Sequence, residues 1–190
     1  GTTGEASTLT DEEQLDLIRF TVEKVNGRVP VIGGAGSNDT RHGVGLTRAV
    51  EATGVDAILS VTPYYNKTSQ KGLIEHYKAI ANSVKVPIVL YNVPGRTGQN
   101  ITPESLVELA KIDNIVSLKD ATGNFGQAVD NLRLLGDRLD IYSGNDDTII
   151  PLMSLGAKGV ISVLANIAPK ATAEMTHAWL DGDIKKAAAM

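Results

Sequence analysis

An apolar run, Ile115-Val116-Ser117-Leu118, ends on Lys119. Read as a strand, its alternation puts Ile115, Ser117 and Lys119 on one face and Val116 and Leu118 on the other. A lysine on an inward face is stripped of water, which favours the neutral amine. A neutral amine adds to carbonyl carbon. The plain alternative is a solvent-facing Lys119 paired with Asp120. One run earlier, Ile88-Val89-Leu90 ends on Tyr91. A phenol there can carry protons to and from a carbinolamine, or serve only as an amphipathic core residue. Arg96 follows Pro94-Gly95, and a guanidinium on a tight loop suits a carboxylate held by two parallel bonds, or else a surface ion pair. Thr2 and Thr3 stand between two glycines, where hydroxyls and amides can cradle a carboxylate or simply form a turn. Tyr64 and Tyr65 are two of only five tyrosines and are adjacent in one loop, which points to a role beyond anchoring. The chemistry these residues suggest is amine addition to a small, anionic carbonyl compound.

Other chemistries find little support. The chain has no Cys, which excludes disulfides, thiolate nucleophiles and Cys-ligated metals, and fits a reducing compartment such as the cytoplasm. A net charge of -4 over 190 residues offers no basic stripe to nucleic acid or to an anionic membrane. No apolar run approaches the roughly 18 residues of a membrane span. Gly33-Gly34-Ala35-Gly36 is not a dinucleotide fingerprint in any register and reads as close backbone packing at a strand end. His42, His76 and His177 fall in separate expected helices without metal-ligand spacing. Asp146-Asp147 reads as a helix start complementing the dipole.

Six apolar runs must position these groups: Val29 to Gly33, Asp56 to Val61, Val86 to Tyr91, Asn114 to Lys119, Leu139 to Ser143 and Gly159 to Leu164. They start about 20 to 30 residues apart, the length of one strand-plus-helix unit. They are rich in Val and Ile without clean alternation, as parallel strands covered on both faces are. Between them lie helix signals. Thr10 with Glu13 forms a capping box. Leu15, Ile18, Val22 and Val25 follow on one face, and Asn26-Gly27 stops the helix. Thr102-Pro103 is a cap with Pro at the first helical position, and Leu106, Leu109 and Ala110 supply the apolar stripe. Helices are also expected at 38–54, 70–84, 124–136, 146–156 and 169–190, the last weakened at Asp181-Gly182-Asp183.

Strand and helix thus alternate six times, as in a doubly wound open sheet or a (β/α)8 barrel. The opening loop Gly1 to Glu5 has no strand before it, which favours an α/β (β/α)8 TIM barrel lacking its first strands. Residues 1–168 then form a partial barrel, from the end of strand 2 through strand 8, and 169–190 begin the last barrel helix. The chain starts without Met and stops in an Ala-rich helical pattern, so both ends are expected to be cut. Either architecture gathers function at the carboxyl ends of the strands.

There the chain carries G-T-T-G-E at Gly1 to Glu5, T-P-Y-Y-N at Thr62 to Asn66, Y-N-V-P-G-R-T-G at Tyr91 to Gly98, K-D-A-T-G-N at Lys119 to Asn124 and G-V-I-S-V at Gly159 to Val163. In order and spacing these motifs resemble the 4-hydroxy-tetrahydrodipicolinate (dihydrodipicolinate) synthase family of pyruvate-dependent Schiff-base lyases. The resemblance implies that Lys119 forms the Schiff base with pyruvate and that Tyr91 relays protons. Thr2 and Tyr65 would complete a hydroxyl relay, with Tyr65 supplied across a tight dimer by the neighbouring subunit. Thr3 would hold the pyruvate carboxylate, Arg96 the carboxylate of aspartate semialdehyde, and Gly144 and Ile161 would line the pyruvate pocket through backbone groups. It further implies lysine biosynthesis by the diaminopimelate route, no metal or organic cofactor, and a homotetramer built as a dimer of dimers.

The family's first strand-helix-strand and its C-terminal helices have no counterpart in these 190 residues. A barrel without its first strands leaves unpaired edges, so the chain alone is expected to be inactive or poorly folded. Lysine-inhibited relatives carry His where Asp11 and Gln14 stand and Glu where His42 stands. Asn38 and Tyr64 are kept, but the altered charges argue against lysine feedback. Two rival readings are an N-acetylneuraminate lyase or keto-deoxy-sugar acid aldolase of the same superfamily, and an inactive barrel used as a scaffold.

Overall fold

The computed structural model describes all 190 residues. Six strands form one parallel sheet: β1 (Ile32–Gly34), β2 (Ala57–Val61), β3 (Ile88–Asn92), β4 (Ile115–Asp120), β5 (Asp140–Ser143) and β6 (Gly159–Val160). They lie side by side in chain order. That order decides between the two architectures left open by the sequence. A doubly wound sheet reverses its order at a switch point. Here there is no reversal, and right-handed crossovers repeated in one direction place every connecting helix on the same side.

The helices are α1 (Asp11–Val25), α2 (Thr40–Glu51), α3 (Gln70–Ala81), the single turn α4 (Pro94–Thr97), α5 (Pro103–Leu109), α6 (Phe125–Leu135), α7 (Ile149–Leu155), α8 (Pro169–Leu180) and α9 (Ile184–Ala189). Apart from α4 they pack successively, α1 on α2, α2 on α3, α3 on α5, and so on to α8. The expected capping box is present: Glu13 N–H donates to Thr10 Oγ1 and Thr10 N–H to Glu13 Oε2. Thr102 caps α5, accepting from Ser105 N–H. The segment 169–190 is two helices rather than one weakened one. Gly182 takes a left-handed φ of 85°, and Asp183 caps α9 by accepting from Lys186 N–H.

The core lies between the helices and one face of the sheet. Ile58, Ile88, Leu90, Ile115, Leu118 and Ile141 meet Leu46, Val50, Leu73, Ile80, Leu106, Leu109 and Leu152. The glycine-rich stretch serves this packing, as expected. A methyl group on Gly33 would stand 2.6 Å from Val50 Cγ1, and one on Gly36 2.4 Å from Val61 Cγ1.

One expected pattern is corrected. Ile115 does not share a face with Ser117 and Lys119. The β3–β4 register shifts by one residue, pairing Ile88 with Ile115 but Val89 with Ser117. Val116 is the extra residue and is exposed, and Ile115 joins Leu118 on the helix side. Such a bulge restarts the two-residue alternation. The first run also becomes a strand later than expected, at Ile32. Pro30 has no N–H for a ladder, and the Val31 N–H is taken by the Asp56 carboxylate at 2.7 Å.

Candidate active site

The carboxyl ends of the strands sort into two rows. On the helix-facing row stand Asn92, Asp120 and Ser143, paired in register. All three are buried, and each shapes the loop that follows it. Asn92 Oδ1 accepts from Ile101 N–H at 3.1 Å, and its amide donates to Asn100 Oδ1 at 2.9 Å. Asp120 Oδ1 accepts from the backbone and hydroxyl of Thr122 at 2.8 and 2.7 Å. Ser143 Oγ donates to Asn145 O at 2.7 Å. Thr62, at the end of β2, does the same for the turn carrying Arg96, through Thr97 Oγ1 at 3.1 Å. Thr97 in turn donates to Gln99 O. None of these loop-holding roles was drawn from the sequence. The signal was there, as a small polar residue just past Val61, Tyr91 and Lys119 and at Ser143.

The opposite row carries the candidate reactive groups. Lys119 pairs in register with Tyr91 on one side and Tyr142 on the other. It is only 8% exposed. Its Nζ stands 4.2 Å from the centre of the Tyr91 ring. Burial lowers its pKa from the ordinary 10.5, with the negative charge of Asp146 acting in the other direction. The alternative of a Lys119–Asp120 ion pair in solvent is not what forms. Asp120 faces the helices, is 2% exposed, and has one oxygen satisfied by Thr122 and the other without a partner. Burial pushes its pKa up. A basicity-lowered, desolvated amine against a phenol ring is the arrangement that amine addition to a carbonyl needs.

Gly144 packs beside the stem of this amine, and Ile161 stands past β6, bonded to β5. Gly144 N–H donates to Asp120 O at 2.7 Å. A methyl group on Gly144 would stand 3.2 Å from Lys119 Cε and 2.7 Å from Ala121 Cβ, so only glycine leaves this approach open. The Ile161 N–H donates to Ser143 O at 2.9 Å, extending the ladder past β6 before the chain turns at Ser162. Asp146 reaches across that junction. Its carboxylate accepts from Ser162 Oγ, from Val163 N–H at 3.2 Å and from Leu164 N–H at 2.9 Å. It therefore holds a neighbouring turn as well as standing at the helix start read from the sequence, and the second role was not anticipated. Tyr142 was also missed, because a tyrosine inside a short strand looks like any core residue.

The remaining expected residues stand apart. Thr2 and Thr3 are exposed, in a short 3-10 turn at Thr2–Gly4. The Gly1 backbone nitrogen lies 3.3 Å from where a methyl on Gly34 would be, so this turn abuts the end of β1. Tyr65 is 89% exposed with a left-handed φ of 69°. Arg96 is exposed on α4. Within this chain these four make no hydrogen bond to Lys119 or Tyr91 through their side chains. Two surface clefts, between α6 and α7 and between the β6 end and α8, are not lined by Lys119. No group of three or more His, Asp or Glu side chains is arranged to hold a metal ion, and no helix is long and apolar enough to cross a membrane.

Residues 1–190 match the dihydrodipicolinate synthetase family. The 4-hydroxy-tetrahydrodipicolinate synthase of Acetivibrio thermocellus is 58% identical over 186 residues, covering 98% of this chain and 63% of that protein. That of Thermoanaerobacter sp. is 56% identical over 188 residues, with the same two shares. The crystal structure of the chloride-inhibited dihydrodipicolinate synthase from Acinetobacter baumannii complexed with pyruvate superposes with a TM-score of 0.96 at 49% identity, covering 100% of this chain and 65% of that one. The chain thus spans about 63% of the length of the curated relatives it matches.

Proposed function

This chain belongs to the dihydrodipicolinate synthetase family, and on that premise we propose that it carries the pyruvate-binding centre of a 4-hydroxy-tetrahydrodipicolinate synthase. Its six strands are six of the eight in a closed (β/α)8 barrel, whose interior is the helix-free face that bears Lys119. The observation that carries the reading is the Lys119 amine, buried, lowered in basicity and 4.2 Å from the Tyr91 ring.

The neutral amine of Lys119 attacks the ketone carbon of pyruvate. The Tyr91 phenol delivers a proton to the carbinolamine oxygen, and water leaves. The resulting iminium withdraws electrons from the adjacent methyl group, which loses a proton to give an enamine. The enamine carbon bonds to the aldehyde carbon of aspartate semialdehyde, whose oxygen takes up a proton. The amino group of the new chain attacks the imine carbon, closes the ring and frees Lys119. Every step is proton transfer and carbonyl addition, so no redox partner is needed. Thr3 holds the pyruvate carboxylate and Arg96 that of the second substrate. Gly144 and Ile161 offer backbone walls.

Thr2 and Tyr65 extend the proton relay from Tyr91. The outward exposure of Tyr65 supports its donation to a neighbouring subunit, and a dimer of dimers is the assembly proposed. A cytoplasmic location and a part in lysine biosynthesis follow from the same reading. The sugar-acid aldolase and scaffold alternatives are not favoured, since the relatives above are synthases and Lys119 keeps its reactive setting.

The test is borohydride reduction of the intact protein in the presence of pyruvate, read by mass spectrometry. A pyruvate-derived mass on the Lys119 peptide, absent in Lys119→Met, is expected. Its absence from a folded sample refutes the proposal.

A further inference from the structure

Beyond the residues already assigned, we propose that Gln127 is a positioning residue for the second substrate: it fastens the loop joined to the Arg96 turn to the loop that follows Lys119. The inference rests on the Schiff-base reading and on the Arg96 assignment above. Gln127 lies in the first turn of α6 and is half-buried. Its side chain makes three bonds to one short loop. The Oε1 accepts from Asn100 Nδ2 at 2.9 Å, and the Nε2 donates to Ile101 O at 2.9 Å and to Asn100 Oδ1 at 3.3 Å. Every hydrogen bond between residues 98–102 and the β4–α6 unit comes from this one side chain. From the other side, Gln70 of α3 holds the same loop, donating to Asn100 O at 2.8 Å and accepting from Thr102 N–H at 3.2 Å. The loop is thus gripped from two helices, as well as by Asn92 at the end of β3.

Traced the other way, the grip ends next to the amine. The Gln127 N–H is accepted by Asn124 Oδ1 at 3.1 Å. The Asn124 N–H goes to Thr122 Oγ1 at 3.1 Å, and Thr122 is held by Asp120 Oδ1. Asp120 directly follows Lys119. On the β3 side, Asn92 directly follows Tyr91, pairs in register with Asp120 and donates to Asn100 Oδ1 at 2.9 Å. Its carbonyl accepts from Ala121 N–H at 2.9 Å. A closed circuit of hydrogen bonds therefore runs behind Lys119 and Tyr91, and Gln127 is the link at which it crosses between the two loops. Arg96 stands exposed on the single turn α4, which passes into the clamped loop at Gly98. The backbone of that turn sets where the guanidinium reaches. A carboxylate held by two parallel bonds tolerates little displacement of its guanidinium. Loosening Gln127 moves this clamp relative to the Schiff base, while Lys119 stays fixed by its ladder to β3 and β5.

Gln127→Ala removes all three bonds. Gln127→Glu keeps the length and the acceptor for Asn100 Nδ2 but cannot donate to Ile101 O, and it is read in place of Gln127→Ala if that variant does not fold. The intact protein is assayed well below its melting temperature, by pyruvate trapping and by steady-state condensation. We expect KM for aspartate semialdehyde to rise about tenfold, equivalent to about 1.4 kcal/mol, with kcat and the pyruvate KM within about twofold of the parent. Arg96→Ala should raise the same KM. On that background the Gln127 change should add less than about twofold, because the group it aims is gone. A merely structural role would lower the melting temperature without this split, and would act alike with or without Arg96. A semialdehyde KM within about twofold of the parent overturns the inference, as does an equal rise in the pyruvate KM or a full effect on top of Arg96→Ala. A parent protein that forms no pyruvate adduct overturns the Schiff-base reading, and an unchanged KM in Arg96→Ala overturns the Arg96 assignment. Either result takes this inference with it.

Discussion

Replacing Gly144 by Ala is the smallest change expected to disable the site, and the structure gives its size. The added methyl would stand 2.7 Å from Ala121 Cβ, 3.2 Å from Asp120 O and 3.2 Å from Lys119 Cε. Ala121 and the Asp120 carbonyl are anchored by the β3–β4–β5 ladder, through Ala121 N–H to Asn92 O and Gly144 N–H to Asp120 O at 2.9 and 2.7 Å. The lysine stem can yield at its 3.2 Å contact, but the 2.7 Å contact with Ala121 Cβ obliges the backbone at position 144 to shift, and that shift moves the wall against which Lys119 packs. Overpacking of one methyl costs about 1–3 kcal/mol, which corresponds to roughly a 5- to 150-fold loss if it falls on the reactive geometry. A displacement of about 1 Å at a reacting atom costs on the order of a hundredfold by itself. The assay is pyruvate trapping and steady-state condensation on the intact protein, alongside thermal unfolding. A fall in kcat/KM of about 10- to 100-fold with a melting temperature lowered by only a few degrees is expected. A variant that condenses at the parent rate, with an unchanged melting temperature, would show that the Gly144–Lys119 approach does not constrain the lysine.

Burial depresses the Lys119 pKa below 10.5, so the folded chain holds this proton less tightly than the unfolded one. The resulting stability penalty is full at pH values below the folded pKa and disappears as pH rises through it to about 10.5. Lys119→Met should therefore melt higher than the parent at neutral pH while forming no adduct, and the gain should vanish in alkaline buffer. Gly36→Ala would put a methyl 2.4 Å from Val61 Cγ1 and 2.7 Å from Val61 N, and should lower stability by about 1–3 kcal/mol in denaturant unfolding. Asn92→Ala leaves the buried Ile101 N–H without its acceptor, and unfolding should report a loss of about 1–3 kcal/mol. Because Asn92 also holds Asn100, faster amide exchange between Gly98 and Thr102 should accompany it. Thr10→Ala removes the cap of α1, a helix with no fully buried residue. A cost of about 1 kcal/mol and faster exchange over the first turn of α1 are expected.

Much of this molecule was readable without coordinates because its signals are short-ranged. The Thr10–Glu13 capping box, the Thr102-Pro103 start and the runs that became β2 to β5 each depend on neighbours a few residues away. Lys119 and Tyr91 were legible for the same reason: each closes an apolar strand. The tertiary structure alone decided what depends on pairing between strands distant in sequence. The unreversed order β1 to β6 chose one winding over two. The bulge at Val116 moved Ile115 to the helix side, because a one-residue shift against β3 inverts every side chain before it. Pairing of β4 with β5 placed Tyr142 beside Lys119, and the loops after β5 and β6 brought the Asp146 carboxylate onto Ser162, 16 residues away. No local rule reaches that far. The sequence names the groups that can react, and only packing of the sheet's two faces settles which lie dry and side by side.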